Sequence, residues 1–190
     1  FTLIGAVSNT IGTHFIATGV GTGTGTAQLS QTVETKLQEF ISVKDFGAVG
    51  NNITDDSTAI QNALNWASST GGNTVYVPAG TYFCNTTLTL PTNVVLRGAG
   101  RGNTILRGAG ATMSATTAAV VGSGAGVIGI YMPGHNSEVV ALTVKEFGCG
   151  IYMYQAFWSK VYLSRMTECR MGLRCNEGFI TNIFENNMDY

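Results

Sequence analysis

The segment Gly150-Ile151-Tyr152-Met153 returns twenty-two residues later as Gly172-Leu173-Arg174-Cys175, with glycine and apolar residues at matching places. A related spacing appears in an apolar alternation: Val140, Leu142 and Val144, then Val161 and Leu163 twenty-one residues on, and Phe184 twenty-one beyond Leu163. Such alternation is typical of half-buried strands. A period of 21–22 residues with two or three short strands indicates a β solenoid, since the dense Leu/Asn pattern of leucine-rich repeats is absent. The sequence therefore predicts a mainly β protein built as a parallel β-helix.

The composition excludes several classes of partner. Of the 190 residues only 11% are charged, 44% are hydrophobic, and the net charge is −1. A chain with this balance offers no basic surface for nucleic acid or anionic lipid. No run of about 18 apolar residues is present, so we expect no membrane insertion.

Two N-terminal stretches differ from the rest. Residues 1–27 contain no charged side chain and end in alternating glycine at Gly19–Thr26, which lacks the GxGxxG spacing of a dinucleotide site and predicts an irregular extended segment. Residues 28–41 follow with one apolar stripe: Leu29, Val33, Leu37 and Ile41. A helix this short is marginal by itself, so we expect its apolar stripe to be buried either by the rest of the protein or by copies of itself. Because the chain lacks an initiator Met and a basic signal region, we also expect it to begin partway through a longer protein.

A helix is predicted to cover the start of the solenoid. Residues 42–50 favour a strand running into a turn, and Asp55-Asp56 then open a helix, with Asp55 as its N-cap. The apolar face of this helix is formed by Ala59, Ile60, Ala63, Leu64 and Ala67, and Gly71-Gly72 end it. Short strands are predicted at 74–77, 81–83, 93–97, 104–107 and 127–131. A solenoid end exposes apolar cross-section, which a helix with one apolar side can cover.

These stretches resemble a known family. Residues 45–50, 55–64, 75–82 and 96–106 are similar in order and spacing to the N-terminal segment of pectate-lyase-like right-handed β-helices. That family often has Gly-Asp-Gly where this chain has Gly50-Asn51-Asn52. The uncharged segment and short helix before them resemble what precedes this module in bacteriophage tailspikes. The resemblance implies four parts: a virion-proximal segment (1–27), a trimeric neck helix (28–41), a cap module (42–107) and the first coils of a right-handed, single-stranded β-helix (108–190) that continue beyond residue 190.

The resemblance also implies a function. A tailspike anchors to phage tail or baseplate proteins, forms a homotrimer, and binds and depolymerises a bacterial surface polysaccharide such as capsule or O-antigen. Such a protein is assembled in the host cytoplasm, becomes part of the virion and acts at the host cell surface. Two alternatives remain open: a purely structural virion or adhesin module with its chemistry elsewhere, and a secreted pectin-type polysaccharide lyase. Whether this portion is enzymatic is left open as well.

Three acidic residues are candidates for catalysis. Glu146, Glu168 and Asp189 are spaced 22 and 21 apart, so they are expected at equivalent places on three successive coils. Strands of adjacent coils lie about 4.8 Å apart, close to the ~5–5.5 Å carboxyl separation of retaining glycosidases. Stacked carboxylates would repel and raise one pKa, as a general acid requires. The competing interpretation, which we favour, is a solvated turn, with activity in later coils or between subunits.

Substrate contacts are predicted at Tyr154, Trp158 and Arg165, because aromatic faces stack on sugar rings and arginine binds acidic groups. Packing of the solenoid is the alternative. The four cysteines show no metal-ligand spacing, and a buried, reduced thiol is expected at Cys149 and Cys169. His14 and His135 lack triad partners, and no carboxylate cluster suits calcium, so no metal or cofactor is expected.

Overall fold

The computed structural model describes residues 41–110 and 128–176, together with the backbone of two further strands, Asn182–Phe184 and Asn187–Asp189. The described residues contain a 3-10 helix, Val43–Phe46, and an α-helix, α1, Ser57–Ser69. The strands are β1 (Ile41–Ser42), β2 (Asn51–Asp55), β3 (Thr74–Val77), β4 (Gly80–Phe83), β5 (Leu88–Thr89), β6 (Val95–Gly98), β7 (Thr104–Arg107), β8 (Ile128–Met132), β9 (Glu138–Val140), β10 (Thr143–Lys145), β11 (Cys149–Tyr154), β12 (Lys160–Tyr162), β13 (Arg165–Thr167), β14 (Met171–Asn176), β15 (Asn182–Phe184) and β16 (Asn187–Asp189).

The strands form three sheets that the chain visits in turn. Sheet A has the order β1-β3-β6-β9-β12-β15, sheet B the order β2-β4-β7-β10-β13-β16, and sheet C the order β5-β8-β11-β14. Each pairing between described strands is parallel. One pass through A, B and C makes one coil, which pairs with the coils before and after it. The chain is therefore a parallel β-helix, and the prediction of a solenoid is confirmed.

The register fixes the repeat at twenty-two residues in the last coils. Ile151 pairs with Leu173 and Met153 with Cys175, which confirms the predicted repeat. The twenty-one-residue offset predicted for the neighbouring stretch is wrong, because Tyr162, not Leu163, pairs with Phe184. Leu163 lies in the turn after β12 with φ 52° and is 38% exposed, so the prediction that it faces inward is also wrong. Its strand ends one residue earlier, and the left-handed turn directs the side chain outward.

Short strands with clear apolar alternation were the most predictable elements. Strands 74–77 and 104–107 have the predicted bounds, and three others, β4, β6 and β8, are shifted by one or two residues. The strand predicted from residue 42 is wrong: residues 43–46 form a 3-10 helix, because Ser42 and Asp45 make a reciprocal capping box. Strand β2 was not predicted, because all five of its residues are polar or exposed and show no alternation.

Helix α1 begins one residue later than predicted, and its cap differs from the prediction. Asp56 is at the N-cap position, but its carboxylate accepts hydrogen bonds from the backbone N–H groups of Val49 (2.6 Å) and Gly50 (2.9 Å). The first helical N–H, that of Ser57, is instead satisfied by Asp55 Oδ1 at 3.0 Å. Asp55 therefore caps the helix from one residue further out, since Asp56 is used to hold the preceding loop.

Helix α1 takes the place of a sheet C strand in the first coil. It follows β2 of sheet B, precedes β3 of sheet A, and packs against β5, the first strand of sheet C. Ile60 and Leu64 are fully buried in the same core cluster as Leu88 and Leu90. The prediction that this helix covers the start of the solenoid is confirmed.

The N-terminal predictions fall mostly outside the described residues. The segment 1–27 and positions 28–40 of the neck stripe are not described. Ile41, the last residue of that stripe, is described: it lies in β1, pairs with Val75 and is buried in the solenoid core, so it does not belong to a neck helix. No helix within the described residues has the length and apolarity to cross a membrane.

The prediction of buried, reduced thiols at Cys149 and Cys169 is confirmed. All four are free thiols; Cys84, Cys149 and Cys169 are buried and Cys175 is exposed. Burial raises the pKa of Cys149 to about 12 and also raises that of Cys169. Thiols with raised pKa values are poor nucleophiles and metal ligands. Cys149 and Cys169 therefore serve as small apolar side chains in the interior.

Candidate functional site

Glu146 and Glu168 occupy the same turn position on neighbouring coils. Each directly follows a sheet B strand, and each has a left-handed backbone, with φ of 60° and 53°. Their predicted equivalence is confirmed by the pairing of Lys145 with Thr167. Asp189 does not continue this column, because it pairs with Thr167 and therefore aligns with Lys145. The three-residue column is wrong at Asp189, since the true period here is 22 and not 21.

Cations separate the two glutamates. Lys145 Nζ lies 3.2 Å from both Glu146 Oε1 and Glu168 Oε1, and Arg107 Nη1 lies 3.1 Å from Glu146 Oε2. Burial alone would raise the pKa of Glu146, but hydrogen bonds and charge from Lys145 and Arg107 outweigh it and hold that pKa below its ordinary value. A raised pKa is therefore wrong for Glu146. A carboxyl kept ionised in this way is a poor general acid. The charged column of Arg107, Lys145, Glu146 and Glu168 links three successive coils.

A second charged group lies on the outer face of sheet A. Glu138 accepts hydrogen bonds from Lys160 Nζ at 2.9 Å and from the Tyr162 hydroxyl at 3.1 Å. Burial, and then the hydrogen bond to Glu138, raise the pKa of Tyr162. The phenol therefore stays protonated at neutral pH and is not a base. This group joins two adjacent coils, whereas the charged column joins three.

The predicted substrate-contact residues lie in three different parts of the coil. Tyr154 ends β11 in sheet C, Trp158 is in the turn that leads from sheet C to sheet A, and Arg165 begins β13 in sheet B. The structure therefore does not assemble these three side chains on one sheet.

An aromatic column runs along the side of sheet C that faces away from the main core, and its central ring, Tyr152, is only 1% exposed. Tyr131, Tyr152 and Arg174 are in register on three successive strands. The two tyrosine rings stack with centroids 5.6 Å apart and 17° between their planes, and the Arg174 guanidinium lies 5.4 Å from the Tyr152 centroid. The Tyr154 ring flanks Tyr152 at 6.3 Å. Sequence analysis missed this column. Tyr131 and Tyr152 are 21 residues apart and Arg174 follows 22 residues later, but the change of residue type from tyrosine to arginine obscured the repeat.

A smaller aromatic cluster lies at the turn between sheets C and A. Trp158 is 62% exposed, and its ring centroid is 6.1 Å from Phe157 and 6.4 Å from His135. His135 and Phe157 lie one coil apart with centroids 5.2 Å apart. The backbone N–H of Phe157 donates to His135 Nδ1 at 3.3 Å. Within the described residues, no group of three or more His, Cys, Asp or Glu is placed to hold a metal ion.

Comparison with known proteins agrees with this architecture. Residues 40–124 match the family "Rhamnogalacturonase A/epimerase, pectate lyase-like". The chain is 45% identical over 73 residues to mannuronan C5-epimerase AlgE6 of Azotobacter vinelandii, covering 35% of this chain and 8% of that protein. It is 40% identical over 73 residues to the preneck appendage protein of Bacillus phage PZA, covering 38% of this chain and 8% of that protein.

Among solved structures, ORF18 of Geobacillus virus E2 has a TM-score of 0.58 with 21% identity and covers 72% of this chain and 28% of the other. The chain resembles phage tailspike proteins built on a pectate-lyase-like β-helix. At this identity the structural likeness shows the fold. The chain spans less than a tenth of the length of the two curated relatives, so the part they share is short.

Proposed function

We propose that this chain is part of a virion-associated, homotrimeric tailspike-like protein whose β-helix contacts and depolymerises a polysaccharide on the bacterial host surface. The observation that carries the proposal is a helix-capped β-helix start in a chain 40% identical over 73 residues to a phage preneck appendage protein. The cap closes one end of the solenoid, while successive coils add binding surface along one axis. Such a protein would act in the virion, at the host surface.

In this proposal the charged column of the described coils is structural rather than catalytic. The charged column of Arg107, Lys145, Glu146 and Glu168 is satisfied by its own ion pairs, and Glu146 is held ionised. On sheet C the stacked Tyr152 ring is only 1% exposed, so the aromatic column there packs the solenoid. Bond cleavage is therefore assigned to later coils or to grooves between subunits.

A second candidate is an enzyme that acts on a polyuronate. It is favoured by 45% identity over 73 residues to a mannuronan C5-epimerase. Arg174, beside the Tyr152 ring, has the charge and geometry to bind a sugar carboxylate. The two candidates differ in product, since a depolymerase shortens the chain and an epimerase leaves its length unchanged.

The test uses the full-length protein with two polymers in parallel: surface polysaccharide purified from the host strain, and mannuronan. We expect the protein to bind the host polysaccharide and to shorten it, as measured by size-exclusion chromatography, and to leave mannuronan unchanged. Epimerised mannuronan of unchanged length, detected by proton NMR, would favour the second candidate. Failure to bind the host polysaccharide would contradict the first.

A further inference from the structure

The turn that carries Trp158 has a backbone conformation that does not favour tryptophan. Trp158 has φ 56°, in the left-handed region, where large side chains are uncommon. Lys160 pairs with Glu138 on the preceding coil, and Glu138 pairs with Val95 on the coil before that. Counting back two residues from each shows that Trp158 is equivalent to Asn136 and Asn93. Both asparagines are left-handed too, with φ of 53° and 62°. Asparagine tolerates this conformation because its short side chain hydrogen-bonds locally.

Burial does not compensate for having tryptophan where the two preceding coils have asparagine. Trp158 is 62% exposed, so most of the indole remains in water. A large aromatic side chain that is neither favoured by its backbone nor buried by its neighbours contributes little to folding. Locally unfavourable residues of this kind concentrate at binding sites, where function maintains them.

The surroundings of the indole provide a polar group beside the aromatic face. Because His135 Nδ1 accepts the Phe157 N–H at 3.3 Å, the proton of the neutral imidazole is on Nε2, which remains a donor. The His135, Phe157 and Trp158 rings lie within 6.4 Å of one another. An apolar face with a few fixed polar groups is the usual composition of a small-ligand site.

The turn is held rigidly by hydrogen bonds to the coils below it. Ser159 is fully buried; its Oγ donates to the Gly134 carbonyl at 3.0 Å and accepts from the Ser137 N–H at 3.1 Å. Ser137 Oγ in turn donates to the Pro91 carbonyl at 2.7 Å, one coil further down. The backbone next to Trp158 is thus fixed before any ligand arrives, which lowers the entropy cost of binding.

We infer that Trp158, flanked by Phe157 and His135, is a saccharide platform that stacks on the C–H face of a pyranose ring. The inference rests on the proposed function, in that it names where this part of the β-helix contacts its polysaccharide. A protein partner fits less well, since a stable interface needs about 800 Å² on each side and this cluster is one turn wide. Neutral hexoses and uronates both present such a ring face, so the test includes both.

The binding test uses the full-length protein with Trp66→Phe, which makes Trp158 the only tryptophan of residues 1–190. Further tryptophans elsewhere in the protein are replaced in the same background. Three probes are titrated: dextran oligosaccharides, mannuronan oligosaccharides and oligosaccharides from the host surface polysaccharide. We expect a saturable change in Trp158 fluorescence with the host sugar, and the dextran and mannuronan arms show whether a neutral or an acidic ring suffices. No saturable change with any probe would overturn the inference.

The decisive variant is Trp158→Asn, which restores the residue of the two preceding coils. Its thermal midpoint should rise, while its affinity for the host oligosaccharide by calorimetry should fall about tenfold or more, as at binding hot spots. Leu163→Asn is the matched control, because Leu163 is also left-handed and partly exposed but lies in the next turn; its affinity should be unchanged. Unchanged affinity in a folded Trp158→Asn protein would overturn the inference yet leave the proposed function standing. Loss of host binding by the wild type would instead contradict the proposed function.

Discussion

The Gln61 side chain pairs with the backbone of Thr89 as a neighbouring strand would. Its Nε2 donates to the Thr89 carbonyl at 3.0 Å, and its Oε1 accepts from the Thr89 N–H at 2.8 Å. Thr89 is in β5, the first strand of sheet C, which has α1 where a preceding strand would stand. Open strand edges promote association with other chains. One side-chain amide therefore closes this edge.

Gln61→Leu is expected to destabilise the fold by about 1–3 kcal/mol, because it leaves the N–H and carbonyl of a part-buried strand without their partners. Chemical denaturation measures the change. Asn62→Ala, at an exposed position on the same helix, is the control and should cost less than about 0.5 kcal/mol. Equal effects of the two substitutions would show that the amide pairing is energetically unimportant.

Leu64→Ala tests the cover over the solenoid. Leu64 is fully buried in the core, so removing its side chain should cost about 2–5 kcal/mol in the free energy of unfolding. Ile53→Ala, at a side chain that is 81% exposed, should cost under about 0.5 kcal/mol. A loss below that limit for Leu64→Ala would rule out its capping role.

The lowered pKa of Glu146 predicts a pH-dependent contribution to stability. Because its folded pKa lies below the ordinary 4.5, the stabilisation is present above pH 4.5 and is lost as the pH falls through the folded pKa. Glu146→Gln should therefore cost about 0.5–1 kcal/mol at pH 7 and progressively less in acid. Urea unfolding at several pH values and in high salt measures this. A cost that stays constant from pH 7 to strong acid would contradict the ion-pair account.

The apolar stripe at Leu29, Val33 and Leu37 predicts a parallel trimer. Sedimentation velocity on residues 1–190 is expected to give three chains per particle, and Val33→Asp with Leu37→Asp should dissociate them, because buried carboxylates are costly. Val49→Asp, at an exposed apolar position on the solenoid, should leave the assembly intact. A monomer for the unchanged sequence would count against the neck.

The repeat and the cap were predictable because their signals are local. Alternation in Thr74–Val77 and the apolar face around Ile60 and Leu64 specify a strand and a helix without reference to the rest of the chain. Strand β2 was not predictable, because its exposed residues pair with β4 through the backbone alone.

The candidate site was less predictable than the fold. A one-residue error in the period placed Asp189 in the wrong column, since a single shift changes which side chains align. The cation that neutralises Glu146 from a preceding coil is Arg107, 39 residues away in sequence, so only the folded register reveals it. Trp158 was predicted as a contact residue, yet its unfavourable turn position became visible only beside Asn136 and Asn93.

We propose that the full-length protein depolymerises host surface polysaccharide, while the charged column of these coils only supports the solenoid. Depolymerisation is measured by the release of reducing ends from that polysaccharide by the full-length protein, wild type against Glu168→Gln. Glu168 is 58% exposed and ion-paired to Lys145, so we predict release by the wild type and an unchanged rate in the variant. A loss of about 10²–10⁴ in rate with folding intact, as expected on removing a general acid, or no release by the wild type, would contradict the account.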